Sequence, residues 1–153
     1  MSLFKVFDVA GTGLNAETIR LNTVASNLAN AQSESGDPTQ VYRAREPVFQ
    51  TILDRAGAPA IGAGGFLDTN ANAAASAGAG VRVLGIVQSQ APVAMRYEPN
   101  SPLANKNGYV YASNVNPIEE LANMISANRA FSTDVDAINT ARDLLLKTIA
   151  MGH

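Results

Sequence analysis

The chain has no cysteine, no tryptophan and a single histidine among its 153 residues. Without cysteine there can be no disulfide, no zinc–thiolate centre and no thiol nucleophile. The lone His153 ends the sequence. Without a second histidine or any cysteine, Ser–His and Cys–His machinery and the common zinc sites are excluded, and His153 reads as a solvated terminal residue. Charge is scarce as well, at 16% of residues against roughly 25% in an average domain. The formal net charge of −2 lacks the clustered Lys and Arg of a nucleic-acid binder. No stretch approaches the roughly 20 apolar residues of a membrane span, so neither nucleic acid nor membrane insertion is expected. The opening MSLFKVFDVAGTG has one Lys and a short apolar stretch broken by Asp8, too little for the core of a secretory signal. Any export is expected to proceed without a cleaved signal peptide.

What the chain does have is apolar content, 46%, in a length that suits one domain burying about two-thirds of its unfolded surface. Much apolar and little charged surface hints that surface is shared with partners. The spacing predicts a helix over about 3–30. Phe7, Leu14, Leu21 and Leu28 recur every seven residues, and Leu3, Ala10, Val24 and Ala31 fill a second heptad position, with Glu17 its misfit. The outward positions carry Ser, Thr, Asn and Ala rather than charge, so this helix is expected to touch neighbours on more than one side. A second helix is predicted over about 117–150. Met124, Phe131, Ile138 and Leu145 form one heptad series, and Leu121, Asn128, Val135, Arg142 and Ile149 the other. Asn116 is its N-cap, Pro117 its first residue, and Glu119 completes a capping box; early acids and late Lys147 suit the helix dipole.

Between the helices the period changes. VYRAREPVFQTIL (41–53) and VRVLGIVQSQ (81–90) are rich in β-branched and aromatic residues and predict strands, and NGYVYA (107–112) predicts a turn and a short strand. Residues 56–80, a low-complexity Gly, Ala and Asn run, read as a flexible loop. The expected fold is therefore mainly α with a small β insert. The N-terminal helix (1–31) and C-terminal helix (117–153) pair as an antiparallel coiled coil, with a loop and small β module (32–116) between.

Candidate chemistry is thin. GTGLNA (11–16) matches a dinucleotide fingerprint, but Glu34 lies in a polar run rather than after a second strand. The heptad also keeps phase through the glycines, so a chance match or a close-packing spot is the better reading. Glu119 and Glu120 are the nearest acid pair, and one is already a cap. No catalytic residue, cofactor or metal is expected, and an enzyme is improbable. YRAR (42–45) places two Arg on one strand face. A phosphate or acidic-lipid contact is conceivable there, but a solvated edge or a salt bridge to a neighbouring subunit is the plainer reading.

Asn22, Asn27 and Asn30 crowd the end of the first helix, where Asn is costly because its side chain competes for the backbone. On a helix with several neighbours such side chains can bond across and fix register. Asn30 could also close the helix in the left-handed conformation.

ASNLANA (25–31) resembles the N-terminal signature of the bacterial flagellar rod and hook proteins. YEPNSPLANKNGYVYASNVNPIEELANMISANRAF (97–131) looks like the signature of a proximal rod member of that family, and INTARDLLLKTI (138–149) fits its C-terminal end. The resemblance implies a structural subunit of the basal-body rod, the drive shaft crossing the periplasm, exported unfolded by the flagellar type III apparatus. It implies end helices forming an inner tube. It also implies as neighbours copies of the chain itself, other proximal and distal rod proteins, the rod-junction protein and the MS ring. The alternatives are another rod protein of the axial family, or a soluble coiled-coil adaptor or chaperone.

Overall fold

The structure, a computed structural model, describes residues 3–53 and 78–151. Helix α1 spans Leu3–Ala29 and helix α2 spans Pro117–Met151. Between them lie five strands: β1 (Glu34–Ser35), β2 (Arg45–Leu53), β3 (Gly78–Gln88), β4 (Ala94–Tyr97) and β5 (Tyr109–Ala112). β2 and β3 form an antiparallel pair, with register shifts at Val48/Phe49 and Ile52/Leu53. β1, β5 and β4 form a second antiparallel sheet in that order. Both end helices and the three strands expected between them are present. Two strand starts differ, and two short strands were not expected. Residues 41–44 precede β2, and β1 and β4 are strands too short to carry an alternating pattern. β3 also begins at Gly78, so the last residues of the expected 56–80 loop are strand; the rest of that loop lies outside the described residues, as does His153.

The two helices lie side by side and run in opposite directions. Asn27, near the end of α1, bonds Glu120 in the first turns of α2, while Gly13 faces Asp134. α1 has no acid in its first turn and no base in its last. The macrodipole therefore gives it nothing, and its helicity rests on packing. Phe7, Leu14, Leu21 and Leu28 are all half-buried, and Ala10 and Val24 are buried. On α2, Met124, Phe131, Ile138 and Leu145 are half-buried. The buried positions beside them are Glu120, Ala127 and Ala141, one residue before Leu121, Asn128 and Arg142. The reason is close approach. A Cβ on Gly13 would come within 2.5 Å of the Asp134 carboxylate, so the contact line favours Gly and Ala and leaves the large side chains half outside.

α1 has a second neighbour. Its Ala16 and Thr23 are buried on the side turned to the β2–β3 pair, where Thr12 Oγ1 accepts the Val81 N–H at 3.1 Å. GTGLNA thus lies in mid-helix, not at a strand–helix turn. Val110 in β5 is fully buried, and Val41 and Val115 are buried as well.

The Asn-Gly turn before β5 is built as its residues suggest. Asn105 Oδ1 accepts the Asn107 and Tyr109 N–H groups, and Gly108 sits at φ 79°. A Cβ there would also meet Tyr97 Cε2 at 2.9 Å and Pro99 Cβ at 3.2 Å. We expect Gly108→Ala to lower stability by about 1–3 kcal/mol through combined strain and clash. Urea unfolding of the two proteins measures the difference.

Candidate assembly surface

The structure brings the Asn-rich end of α1 to a junction of three elements, and Asn27 sits at its centre with 1% of its surface exposed. Its Nδ2 donates to the Arg45 carbonyl at 2.8 Å and to Glu120 Oε1 at 3.1 Å. Its Oδ1 accepts from the Arg45 N–H and the Tyr42 hydroxyl, both at 2.9 Å. All four hydrogen-bonding positions of the amide are thus used. The amide also pairs with both backbone groups of Arg45 as a neighbouring strand would, so one side chain fastens α1 to the foot of β2 and to the start of α2. Asn30 behaves differently. Among the described residues no non-glycine residue has positive φ, so Asn30 does not close the helix in the left-handed conformation. Instead its Nδ2 donates to the Ser26 carbonyl at 2.8 Å, satisfying a carbonyl at the helix end. Asn22 is exposed.

At the start of α2, Asn116 Oδ1 accepts the Ile118 N–H at 3.1 Å and Pro117 opens the helix. Glu119 is exposed and makes no bond back to Asn116, so the capping box is not closed and Glu119 contributes only charge beside the positive helix end. Lys147 lies outside the last turn because α2 runs on to Met151. Sequence reasoning missed Asn114, which accepts the Ala44 N–H and donates to the Ala91 carbonyl. Its place beside the cap Asn116 hid that role.

Glu120 is buried, with Oε1 bonded to Asn27 and Oε2 without a hydrogen-bond partner. Burial, more than the carboxylates of Glu46 and Glu119, raises its pKa above the ordinary 4.5, and the Asn27 bond opposes the rise. A carboxyl with a raised folded pKa stabilises most below its unfolded value, and that contribution is lost as pH rises through the folded value. We therefore expect Glu120→Gln to be more stable than the parent at pH 7, with the gap closing below about pH 4.5. Paired urea curves across that range check it.

Outward from the junction, large apolar side chains face water. Leu121, Ile125 and Ile149 on α2 are exposed, Ile118 is 78% exposed, and Phe4 at the other end of the pair is 70% exposed. Of the residues expected at interfaces, Leu121, Asn128 and Ile149 lie on this outer surface, and the other large apolar positions are half-buried or, for Val24, buried. Among the described residues no cluster of His, Cys, Asp or Glu could hold a metal, and no helix is long and apolar enough to cross a membrane.

Paired terminal helices with small sheets between them, and large apolar residues turned outward, suit a structural subunit that packs against neighbours. Two family models match at the two ends: "Flagella basal body rod protein" over residues 7–32 and "Flagellar basal body rod FlgEFG protein C-terminal" over residues 106–151. The chain is 40% identical, over the full length of both chains, to the flagellar basal-body rod protein FlgC of Salmonella typhimurium and of Escherichia coli O157:H7. It is 34% identical, again over all of both chains, to that of Buchnera aphidicola from Acyrthosiphon pisum. The chain belongs to the FlgC family of flagellar basal-body rod proteins and is a structural subunit of the rod.

Proposed function

We propose that the chain builds the proximal part of the rod by polymerising through its terminal helices, which pair as a coiled coil and transmit torque as a stiff inner tube. The observation that carries this reading is the inversion of size between core and surface. Among the described residues the largest fully buried side chains are Val110 and Asn27, while Phe4, Ile118, Ile149 and Met151 are more than half exposed. A subunit that keeps Ala and Val inside and Ile and Phe outside gains its remaining burial from neighbours. Head-to-tail contacts of this kind leave an open end that templates the next subunit.

The division into a helical unit, 1–31 with 117–153, and a module, 32–116, fits this role. The Asn27 junction holds the module end of the helix pair together within one subunit. At the far end, where α1 begins and α2 finishes, ordering is coupled to joining in this reading. The partners in this reading are copies of the chain, other proximal and distal rod proteins, the rod-junction protein, the MS ring and the type III export apparatus that delivers the subunit to the periplasmic rod.

An in-frame deletion in the source organism tests it. We expect rings without a rod or filament, no swimming, and recovery of both from plasmid-borne protein. A deletion strain that swims with normal basal bodies would overturn the reading in favour of a soluble coiled-coil adaptor.

A further inference from the structure

The end of α1, the loop after it and the foot of the β2–β3 pair enclose an open polar cleft of about 460 Å³, whose walls include Asn30, Ser33, Glu34, Tyr42, Arg43 and Arg45. Its charges do not cancel. Glu34, the carboxylate among them, is already bonded to Arg96 across the sheet. Among the described residues Arg43 makes no ion pair or hydrogen bond, and Arg45 makes none through its guanidinium. Instead the Arg45 guanidinium lies over the Tyr42 ring, 5.3 Å from its centroid. That ring is fixed by its hydroxyl, which bonds Asn27 and Ser26. Ser33 Oγ is buried and has no hydrogen-bond partner. The cleft thus holds two unpaired guanidiniums, one of them pre-positioned, but no unengaged acid.

Resting on the rod-subunit reading, we propose that this cleft receives the carboxylate of an Asp or Glu presented by a neighbouring rod subunit. A planar guanidinium fork matches a carboxylate, and desolvation in a preformed cleft strengthens the pair. Two arginines suit a single acidic side chain. A membrane surface calls for a cluster of some 4–8 basic residues, and the chain's net charge is −2.

The test uses full-length protein in cells that assemble flagella. A photo-reactive benzoylphenylalanine replaces Gln40, an exposed residue on the cleft wall. In purified basal bodies we expect it to cross-link to a rod protein at an Asp- or Glu-bearing segment. In parallel, Arg43→Glu should abolish swimming while Arg43→Lys largely keeps it. An acid-to-Lys change in the cross-linked partner segment should restore motility to Arg43→Glu, and purified Arg43→Glu should unfold at the parental urea concentration. The proposal fails if assembled rods give no protein adduct or a lipid adduct, or if Arg43→Glu swims like the parent. It also fails if inorganic phosphate titrated into the purified chain binds tightly in an Arg43-dependent way and no adduct forms, since that assigns the cleft to a free anion. If Arg43→Glu swims while the deletion strain does not, the inference falls and the rod reading stands.

Discussion

Replacing Asn27 with alanine should cost the subunit several kcal/mol, out of proportion to the small side chain removed. The substitution leaves four groups without their partner: the N–H and carbonyl of Arg45, the hydroxyl of Tyr42 and the carboxylate of Glu120. Tyr42 keeps a contact with Ser26 at 3.1 Å, and part of Arg45 can reach water, so those losses are moderate. Glu120 cannot be rescued in the same way. Its second oxygen already lacks a partner, and without the Asn27 amide a buried charge has no donor at all. An unpaired buried polar group costs about 1–3 kcal/mol, and more when charged, so a total loss of about 3–5 kcal/mol is expected. Asn27→Asp should be worse, because it sets a second carboxylate against Glu120 where a donor stood. Urea unfolding reads the stability loss. Hydrogen exchange should localise it to the end of α1, the foot of β2 and the start of α2. A loss below about 1 kcal/mol, no more than a single exposed hydrogen bond, would mean the junction is not held by this amide.

The same residue shows how far the sequence could be read. The two heptad series place both helices to within a residue or two, because a seven-residue period survives glycines and polar interruptions. That an Asn here bonds across to neighbours was legible too, since Asn27 inside the helix has no local capping role to explain it. Which neighbours it bonds was not legible. Arg45 lies 18 residues away and Glu120 lies 93 away, and no local pattern encodes either distance. The orientation of the second α2 series was not legible for a different reason. Leu121, Asn128 and Ile149 obey a heptad, but period alone does not say which of two adjacent faces meets α1. The close approach at Gly13 decides for Ala127 and Ala141, leaving the leucine face outward. β1 and β4 escaped because strands of two and four residues are set by pairing with β5 rather than by their own alternation. The unbonded arginines of YRAR were visible as a pair, but the cleft around them is a product of tertiary folding.

A charge placed in the α1–α2 contact should stop the rod from growing while leaving delivery of the subunit intact. Leu21 and Phe131 are half-buried on facing helices, and each belongs to a heptad series expected to line the contact. Leu21→Asp or Phe131→Asp leaves a carboxylate there with no basic partner designed for it. Such a group costs several kcal/mol unless it is protonated or the helices part. In the proposed reading, export through a type III route takes an unfolded chain and should not sense the change, whereas rod assembly uses the pair and should. The expected result is normal secretion of the variant, rings without rods in the envelope, and no swimming. Leu121→Asp separates the two levels at which such a variant could act. Leu121 is 48% exposed, so this substitution should leave the isolated subunit's unfolding curve near the parental one. It should nonetheless impair assembly, because in the proposed rod a neighbouring subunit buries the apolar outer face of α2. If Leu21→Asp and Phe131→Asp build normal rods, the helix pair is not the inner tube. If they fail but Leu121→Asp assembles like the parent, the pair is needed only to fold the subunit, and the contacts between subunits lie elsewhere.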